Sequence, residues 1–529
     1  MRKLSKSILN FCIVVAVLLF SSCTKNFKKY NTNTSGLSNE QIAADYQNLG
    51  EPMKQAQLNI ISYTDWIMQL EQNLIGDIYS GYMMSATPFE GNSNNMTYDL
   101  VDGWNYYEWD YVYDNVMKPT QNVLEATTEP QNASFHAWAK IVRVEAMHRA
   151  SDLYGPIIYT NYGKSNQDGS VSFDSQKEAY YAFFNDLDSA INVLTPLVQN
   201  NAPSTFSKFD LVYGGSFEKW LKFANTLRLR LAIRISKADP VKAKSEGEAA
   251  LSNPGGLLTT NDDNAFVDIG TNYHPLNGIS SWGDINIGAP LACYLNGYND
   301  PRVSKYMQAA TDPAVAGQNI GIRNGIDIDA NGRYVGYSRL QEFPNKMQLI
   351  VAAEAWFLKA EAALKGWASA GDAKTNYENG ISTSFAQYGL NAASYITNNT
   401  GKEQQYIDPK AITPGQNDVL TGSPYLSTIT IAWNDGDTPE RKLERVITQK
   451  WLALFPDGQE AWSEFRRTGY PKLFPVVLNK SGGKISTTDF VQRINFPSTE
   501  IDRNAAGVAA AVGMLDGPDT GGTTLWWAK

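Results

Sequence analysis

Histidine is the side chain best suited to moving a proton or holding a metal near neutral pH, and this chain has three: His136, His148 and His274. None stands in a His-Glu-x-x-His word, the spacing that puts two imidazoles and a base around one metal. On a helix turning 100° per residue, His136 and His148 lie about 120° apart and do not converge. Gly163-Lys164-Ser165 ends like a phosphate-cradling loop, yet the first glycine of such a loop would fall on Ile158. No Gly-x-Ser-x-Gly nucleophile word occurs. Two carboxylates that cleave a glycosidic bond meet in space, not in sequence, so the 54 acids leave such a pair unidentifiable. These residues describe a protein that is not an enzyme and takes no cofactor. Asp327-x-Asp329-x-Asn331-Gly332 copies the first half of a calcium loop. Its twelfth position is Ser338 in place of the bidentate Glu, and the same residues equally make an Asn-Gly turn. Asp327, Asp329 and Asn331 remain metal candidates on that footing.

Binding chemistry is better represented. The chain has 13 Trp, 28 Tyr and 21 Phe, and an aromatic face stacks on flat partners, sugar rings included. Rings on Gly- and Asn-rich loops are the ones to consider. Tyr79 with Tyr82, Trp104 with Tyr106, and Tyr273 with Trp282 and Asp284 are the ligand-binding candidates. The Trp rings would stack on sugar faces while Asn95 and Asp284 bond hydroxyls. Trp109, Trp138, Trp220 and Trp356 fall in helical stripes and are expected in the core.

Positioning those loops requires a scaffold, and its plainest unit is 349–388. Residues 349–365 are rich in Ala, Leu, Glu and Lys, strong helix formers, and Phe357, Ala360 and Leu364 share a face. Gly366 ends that helix, and a second one sets Ala373, Tyr377, Gly380 and Ser384 on one side. The hairpin resembles a tetratricopeptide repeat, with Glu361 where the repeat prefers Gly. Similar pairs are expected at 134–153 with 175–197, and at 216–236 with 239–252. A further helix, begun near Asn39 with Ser38 and Gln41 as its cap and bent at Pro52, runs through Trp66 and Leu70 to about Ile75. It is followed by a loop at 76–104 and another helix carrying Trp109 and Tyr113. The expected fold is mainly α: four tetratricopeptide-like helix pairs, irregular loop-rich insertions, largest at 254–345 and 389–440, and few short strands such as 265–267 and 334–335. No composition break divides residues 39–529, which read as one domain.

The N-terminus gives the address. Arg2, Lys3 and Lys6 precede a nearly apolar run at 8–20, and Leu19-Phe20-Ser21-Ser22-Cys23 follows. About 13 apolar residues fall short of the roughly 20 that span a bilayer. Residues 1–22 therefore read as a lipoprotein signal peptide, Cys23 as the lipidated residue, and 23–38 as a tether. Losing three cations and no acid takes the formal net charge from −9 to −12, which argues against nucleic acid as a partner. Cys23 and Cys293 are the cysteines left, so no internal disulfide is expected.

Several words along the chain occur together in one known family. They are Tyr30-Asn31-Thr32-Asn33, WLKFANTLRLRLAIRI at 220–235, Asp300-Pro301-Arg302 and EAWFLKAEAAL at 354–364. The longest are ERVITQKWLALFPDGQEAWSEFRRTGY at 444–470 and RINFPSTEIDRN at 493–504. The set resembles the SusD/RagB family of nutrient-binding outer-membrane lipoproteins, in particular its second SusD-like branch. The resemblance implies a helical scaffold whose insertions bind a nutrient, an oligosaccharide before a peptide. It also implies a SusC-like TonB-dependent transporter as partner, and a lipid-anchored place at the outer membrane, exposed at the cell surface. Residues 24–29 (TKNFKK) are basic where surface-exported lipoproteins of these bacteria often carry acids. A periplasm-facing helical adaptor that binds protein, and a surface glycosidase, are the rival readings.

Overall fold

The computed structural model describes residues 44–529. The signal peptide, Cys23, the tether and the Ser38/Gln41 cap lie outside the described residues. Residues 44–46 form a 3₁₀ turn, and the body described below is 50–529.

The scaffold is a succession of antiparallel helices. Its first pair is irregular. α1 (Gln47–Leu58) holds Pro52 and ends before α2 (Asp65–Met68), which runs on as a π-helix, Gln69–Asp77. Against it pack α3 (Asp102–Asn105) and α4 (Tyr107–Val112), the latter extended by a second π segment, Tyr113–Met117, into α5 (Lys118–Ala126). The next pair is α6 (Ala133–Tyr154) and α7 (Gln176–Gln199). Ser175 and Glu178 close a reciprocal capping box on α7, and Tyr180, Phe184, Leu187, Ile191 and Leu194 are buried as their spacing predicts. α8 (Phe217–Arg234) pairs with α9 (Pro240–Ser252), opened by Asp239, whose carboxylate accepts the Lys242 amide at 3.0 Å.

After short helices that include α10 (Pro275–Ser281) and α11 (Ala289–Gly297), the most regular pair follows: α12 (Ala352–Leu364) and α13 (Ala373–Gln387). A Cβ built at Gly380 would stand 2.8 Å from the Phe357 ring, so glycine is what lets these two helices touch. α14 (Pro439–Leu454) and α15 (Gly458–Thr468) then return to the π-helix at 69–77. This is a mainly α fold of tetratricopeptide-like pairs.

Four short strands tie the insertions to the helices. β1 (Met83–Met84) pairs antiparallel with β3 (Asn286–Ile287), and β2 (Ala265–Asp268) with β4 (Lys346–Ile350). β4 corrects the expected start of the 349 helix: Leu349 and Ile350 are strand, and helix begins at Ala352. Residues 334–335 are not strand. Tyr334 and Tyr337 turn inward because both hydroxyls donate to Asp408, at 2.8 and 2.6 Å. Trp109, Trp138 and Trp220 are core, whereas Trp356 is half-buried, its indole N–H bonded to Thr259 O at 3.0 Å. Among the described residues no helix is long and apolar enough to cross a membrane.

Beneath the helix packing runs a seam of buried charge. Arg230 of α8 grips Glu354 of α12 with two bonds, 2.8 and 2.6 Å, and reaches Glu145 of α6 at 3.4 Å. Arg234, one turn on, meets Asp152 of α6 and Glu460 and Glu464 of α15. Lys450 of α14 lies 3.5 Å from Glu354 and 3.4 Å from Glu464, and Arg467 bridges Glu464 to Glu361. Glu361 thus stands in the repeat's glycine position because Arg467 needs a carboxylate there. Burial pushes Glu145 up to about 8, so it joins the seam as a neutral acid, while Arg467 holds the Glu361 carboxyl below its ordinary value.

Candidate functional site

The irregular first pair buries Trp109 but carries other aromatic side chains outward. Trp66 on α2 is 47% exposed, and its ring meets Tyr107 of α4 edge-on at 5.7 Å. Tyr107 stacks on Tyr106 at 4.3 Å and leans on Tyr111, one helical turn along, at 6.0 Å. These half-buried rings make one continuous aromatic surface. Both helices under it pass into π segments, an irregularity frequent at functional sites.

The second wall comes from the 254–345 insertion. α10 packs on α2 through Gly278, where a Cβ would lie 2.9 Å from the Asp65 carboxylate. Trp282, at the C-terminal end of α10, is 48% exposed. Two residues on, Asp284 accepts from Gln69 Nε2 at 3.1 Å and from Thr87 Oγ1 at 2.8 Å. Asp284 thereby pins the insertion to α2 and to the loop after β1. That loop carries Phe89, which meets Trp104 edge-on at 5.6 Å. Trp66, Tyr107 and Tyr106 adjoin one another, Trp104 meets the loop that Asp284 pins, and Trp282 precedes Asp284 by two residues. Asp284 keeps lone pairs free for a hydroxyl.

Three candidates are corrected. Tyr82 is fully buried: its hydroxyl donates to Trp451 O and its ring packs on Trp451 and Phe455. Tyr79 is 7% exposed, packed on Trp462 and bonded to Asn95 O. Asn95 is fully buried, donating to Leu74 O at 3.0 Å and Asn105 Oδ1 at 2.8 Å. The physical reason is common to all three. The π-helix and the β1–β3 pairing draw residues 78–86 and 94–98 into the interior, whatever their loop-like composition. Tyr273 is 58% exposed but sits before α10, at the opposite end from Trp282, so the expected grouping of the two is not formed. Trp66, Tyr107, Tyr111 and Gln69 were not singled out in the sequence. The available signal was Trp66 and Gln69 at i,i+3 with Tyr107 and Tyr111 at i,i+4, two helical faces too polar and ring-rich for ordinary core.

The calcium candidates are taken up by the protein. Asp329 forms a two-bond ion pair with Arg333, which holds its carboxyl below the ordinary range, and Asp327 accepts from Asn92 at 3.1 Å. Asn331 opens a short 3₁₀ turn. Among the described residues no cluster of three His, Cys, Asp or Glu has metal-holding geometry. Two carboxylates under the aromatic surface have unusual protonation. Burial pushes Glu71 up to about 7, and burial together with the charge of Glu71 pushes Glu108 up to about 8. They are 3% and 6% exposed, and Glu71 is occupied by the Ser62 amide.

Comparison with curated proteins gives no match. Solved structures match over nearly the whole fold. A chitin-binding SusD homolog from Flavobacterium johnsoniae is 41% identical, covering 91% of this chain and 98% of its own, with a TM-score of 0.86. A SusD homolog from Bacteroides vulgatus is 36% identical over 92% of this chain and 99% of its own, TM-score 0.85. A SusD-like protein from Bacteroides thetaiotaomicron is 33% identical over 91% and 98%, TM-score 0.84. The family profile described as SusD-like, Susd and RagB outer membrane lipoprotein, matches residues 29–528. The chain belongs to the SusD-like family of outer membrane lipoproteins.

Proposed function

We propose that this protein is a lipid-anchored, non-enzymatic receptor that captures a glycan on its aromatic surface and hands it to a SusC-like TonB-dependent transporter. Cys23 carries the lipid, and the body stands at the outside of the outer membrane. The observation that carries the reading is the outward aromatic surface of Trp66, Tyr107, Tyr106 and Tyr111, with Trp282 and Asp284 held beside it. Adjoining rings suit a polymer that offers one flat apolar face after another. The 41% identical relative that binds chitin directs the ligand class to β-linked chains of N-acetylated sugars.

Titration with chitooligosaccharides, set beside a panel of other glycans and peptides, tests the reading. Affinity should rise with chain length and fall sharply in Trp66→Ala with Trp282→Ala. Unchanged affinity in that variant removes the site, and binding confined to peptides removes the glycan. Prolonged incubation with the bound sugar should release no shorter products; release would mean an enzyme. Protease treatment of intact cells should cut the protein, and protection until lysis would place it on the periplasmic side.

A further inference from the structure

Far along the same insertion lies a cavity of about 410 Å³ that the aromatic surface does not include. It opens between β2, β4 and the end of α13. Its walls are the half-buried rings of Phe266, Phe343 and Tyr388. Its floor includes His274, 3% exposed and stacked on Phe343 at 4.9 Å. The His274 ring is fixed by a helix cap: Nδ1 accepts the Leu276 amide at 3.2 Å. A neutral imidazole has one donor and one acceptor nitrogen, so the proton is on Nε2. That N–H has no acceptor among the described residues. The atom is open to the cavity, where water or a guest can accept from it. At the mouth stand Lys305 and Lys346, both exposed and neither in an ion pair among the described residues, against one acid, Glu342. On a chain of formal charge −9 this is a local excess of positive charge.

We propose that this cavity is a second binding site, for a small aromatic acid. The ring lies in the slot of Phe266, Phe343 and Tyr388, an oxygen on its inner edge accepts from His274 Nε2, and the carboxylate faces Lys305 and Lys346. A sugar suits this enclosed slot less well, because the hydroxyls around its edge would be set against the rings of Phe266, Phe343 and Tyr388. Burial holds His274 down at about 3, so the donor stays neutral throughout the physiological range.

Calorimetric titration of the full chain with 4-hydroxycinnamate tests the site. One-site binding is expected, weakened ~10-fold by Lys305→Gln with Lys346→Gln, since two half-exposed ion pairs are together worth about 1.4 kcal/mol. The uncharged 4-hydroxycinnamyl alcohol should be weaker to a similar degree. Gln387→Trp, which fills the slot, should abolish binding, and Glu342→Lys should tighten it, a gain that misfolding cannot produce. Trp66→Ala with Trp282→Ala should leave it unchanged, which also separates this site from the glycan reading. No binding at millimolar acid overturns the proposal. Indifference to the lysine, Gln387 and Glu342 changes, or loss in the tryptophan variant, overturns it as well.

Discussion

Two regions of this molecule invert the usual placement of side chains. In the helical seam, Arg230, Arg234, Lys450 and Arg467 are no more than 3% exposed by side chain and lie among carboxylates. Trp66 on the first helix pair and Trp282 on the insertion beside it stand about half-exposed. Buried ions are weak contributors to net stability, because desolvation offsets most of their attraction, but each one fixes its neighbours' positions strictly. Exposed rings cost apolar surface and fix nothing until a ligand covers them. The seam joins α6, α8, α12, α14 and α15 into one body, and the rings sit on the pair whose helices are broken into π segments. Rigidity and recognition are therefore assigned to different parts of one repeat fold.

That division can be broken from either side. The largest effect is expected from Arg230→Leu, which leaves Glu354 buried and without its guanidinium, a loss of about 3–5 kcal/mol. Urea unfolding should show the fall, while glycan affinity per folded molecule stays as it was. Restoring an apolar pair with Arg230→Leu and Glu354→Leu should recover part of the stability. Next comes Trp66→Ala with Trp282→Ala, where truncating two stacking rings should cost ~100-fold in affinity. Its melting temperature should barely move. A variant of either kind that damaged binding and stability alike would erase the distinction.

Acidity tests the ground between the two regions. Glu71 and Glu108 lie under the rings and bind protons more tightly folded than unfolded. The folded state therefore holds the extra protons between pH 4.5 and about 7 to 8, and stability should fall as pH rises through that window. Glu361 and Glu464, held low by Arg467, act oppositely, losing their contribution as pH falls below the ordinary glutamate range. Glu71→Gln should flatten the descent above pH 5 and leave the acid limb alone. A thermal scan across pH shows it, and an unaltered descent would mean Glu71 is ionised in the fold.

The same division explains what could be read from the sequence. Helix pairs announce themselves locally: spacing, a capping Ser175 with Glu178, Asp239-Pro240, and Gly366 after α12 need no distant partner. The family words are largely the charged seam, since Arg230, Arg234, Glu354, Lys450, Glu460, Glu464 and Arg467 all lie in them. They therefore identified the scaffold and said nothing of the site. Tyr79, Tyr82 and Asn95 looked like loop residues, yet Met83 pairs with Ile287, some two hundred residues away, and draws them inward. Trp66 reads only as part of a helix, yet it stands 47% exposed while its neighbour Asp65 meets Gly278. Exposure here is decided by long-range packing that composition does not carry.

The finest division concerns Asp284, which belongs to both accounts. Its carboxylate accepts from Gln69 and Thr87, so it positions the insertion, and it is half-buried with lone pairs left, so it can bond a sugar hydroxyl. Asp284→Asn keeps the shape but turns one oxygen into a donor, setting an N–H against the donors of Gln69 or Thr87. An affinity loss of about three- to tenfold is expected, the scale of one ordinary hydrogen bond, with little change in melting temperature. The exchange Asp284→Asn with Gln69→Glu restores the Asn-to-carboxylate bond with its direction reversed. Recovery of affinity in the exchange assigns Asp284 to positioning; persistent loss assigns the carboxylate itself to the ligand. Full affinity in Asp284→Asn alone would remove this residue from the site and leave recognition to the rings.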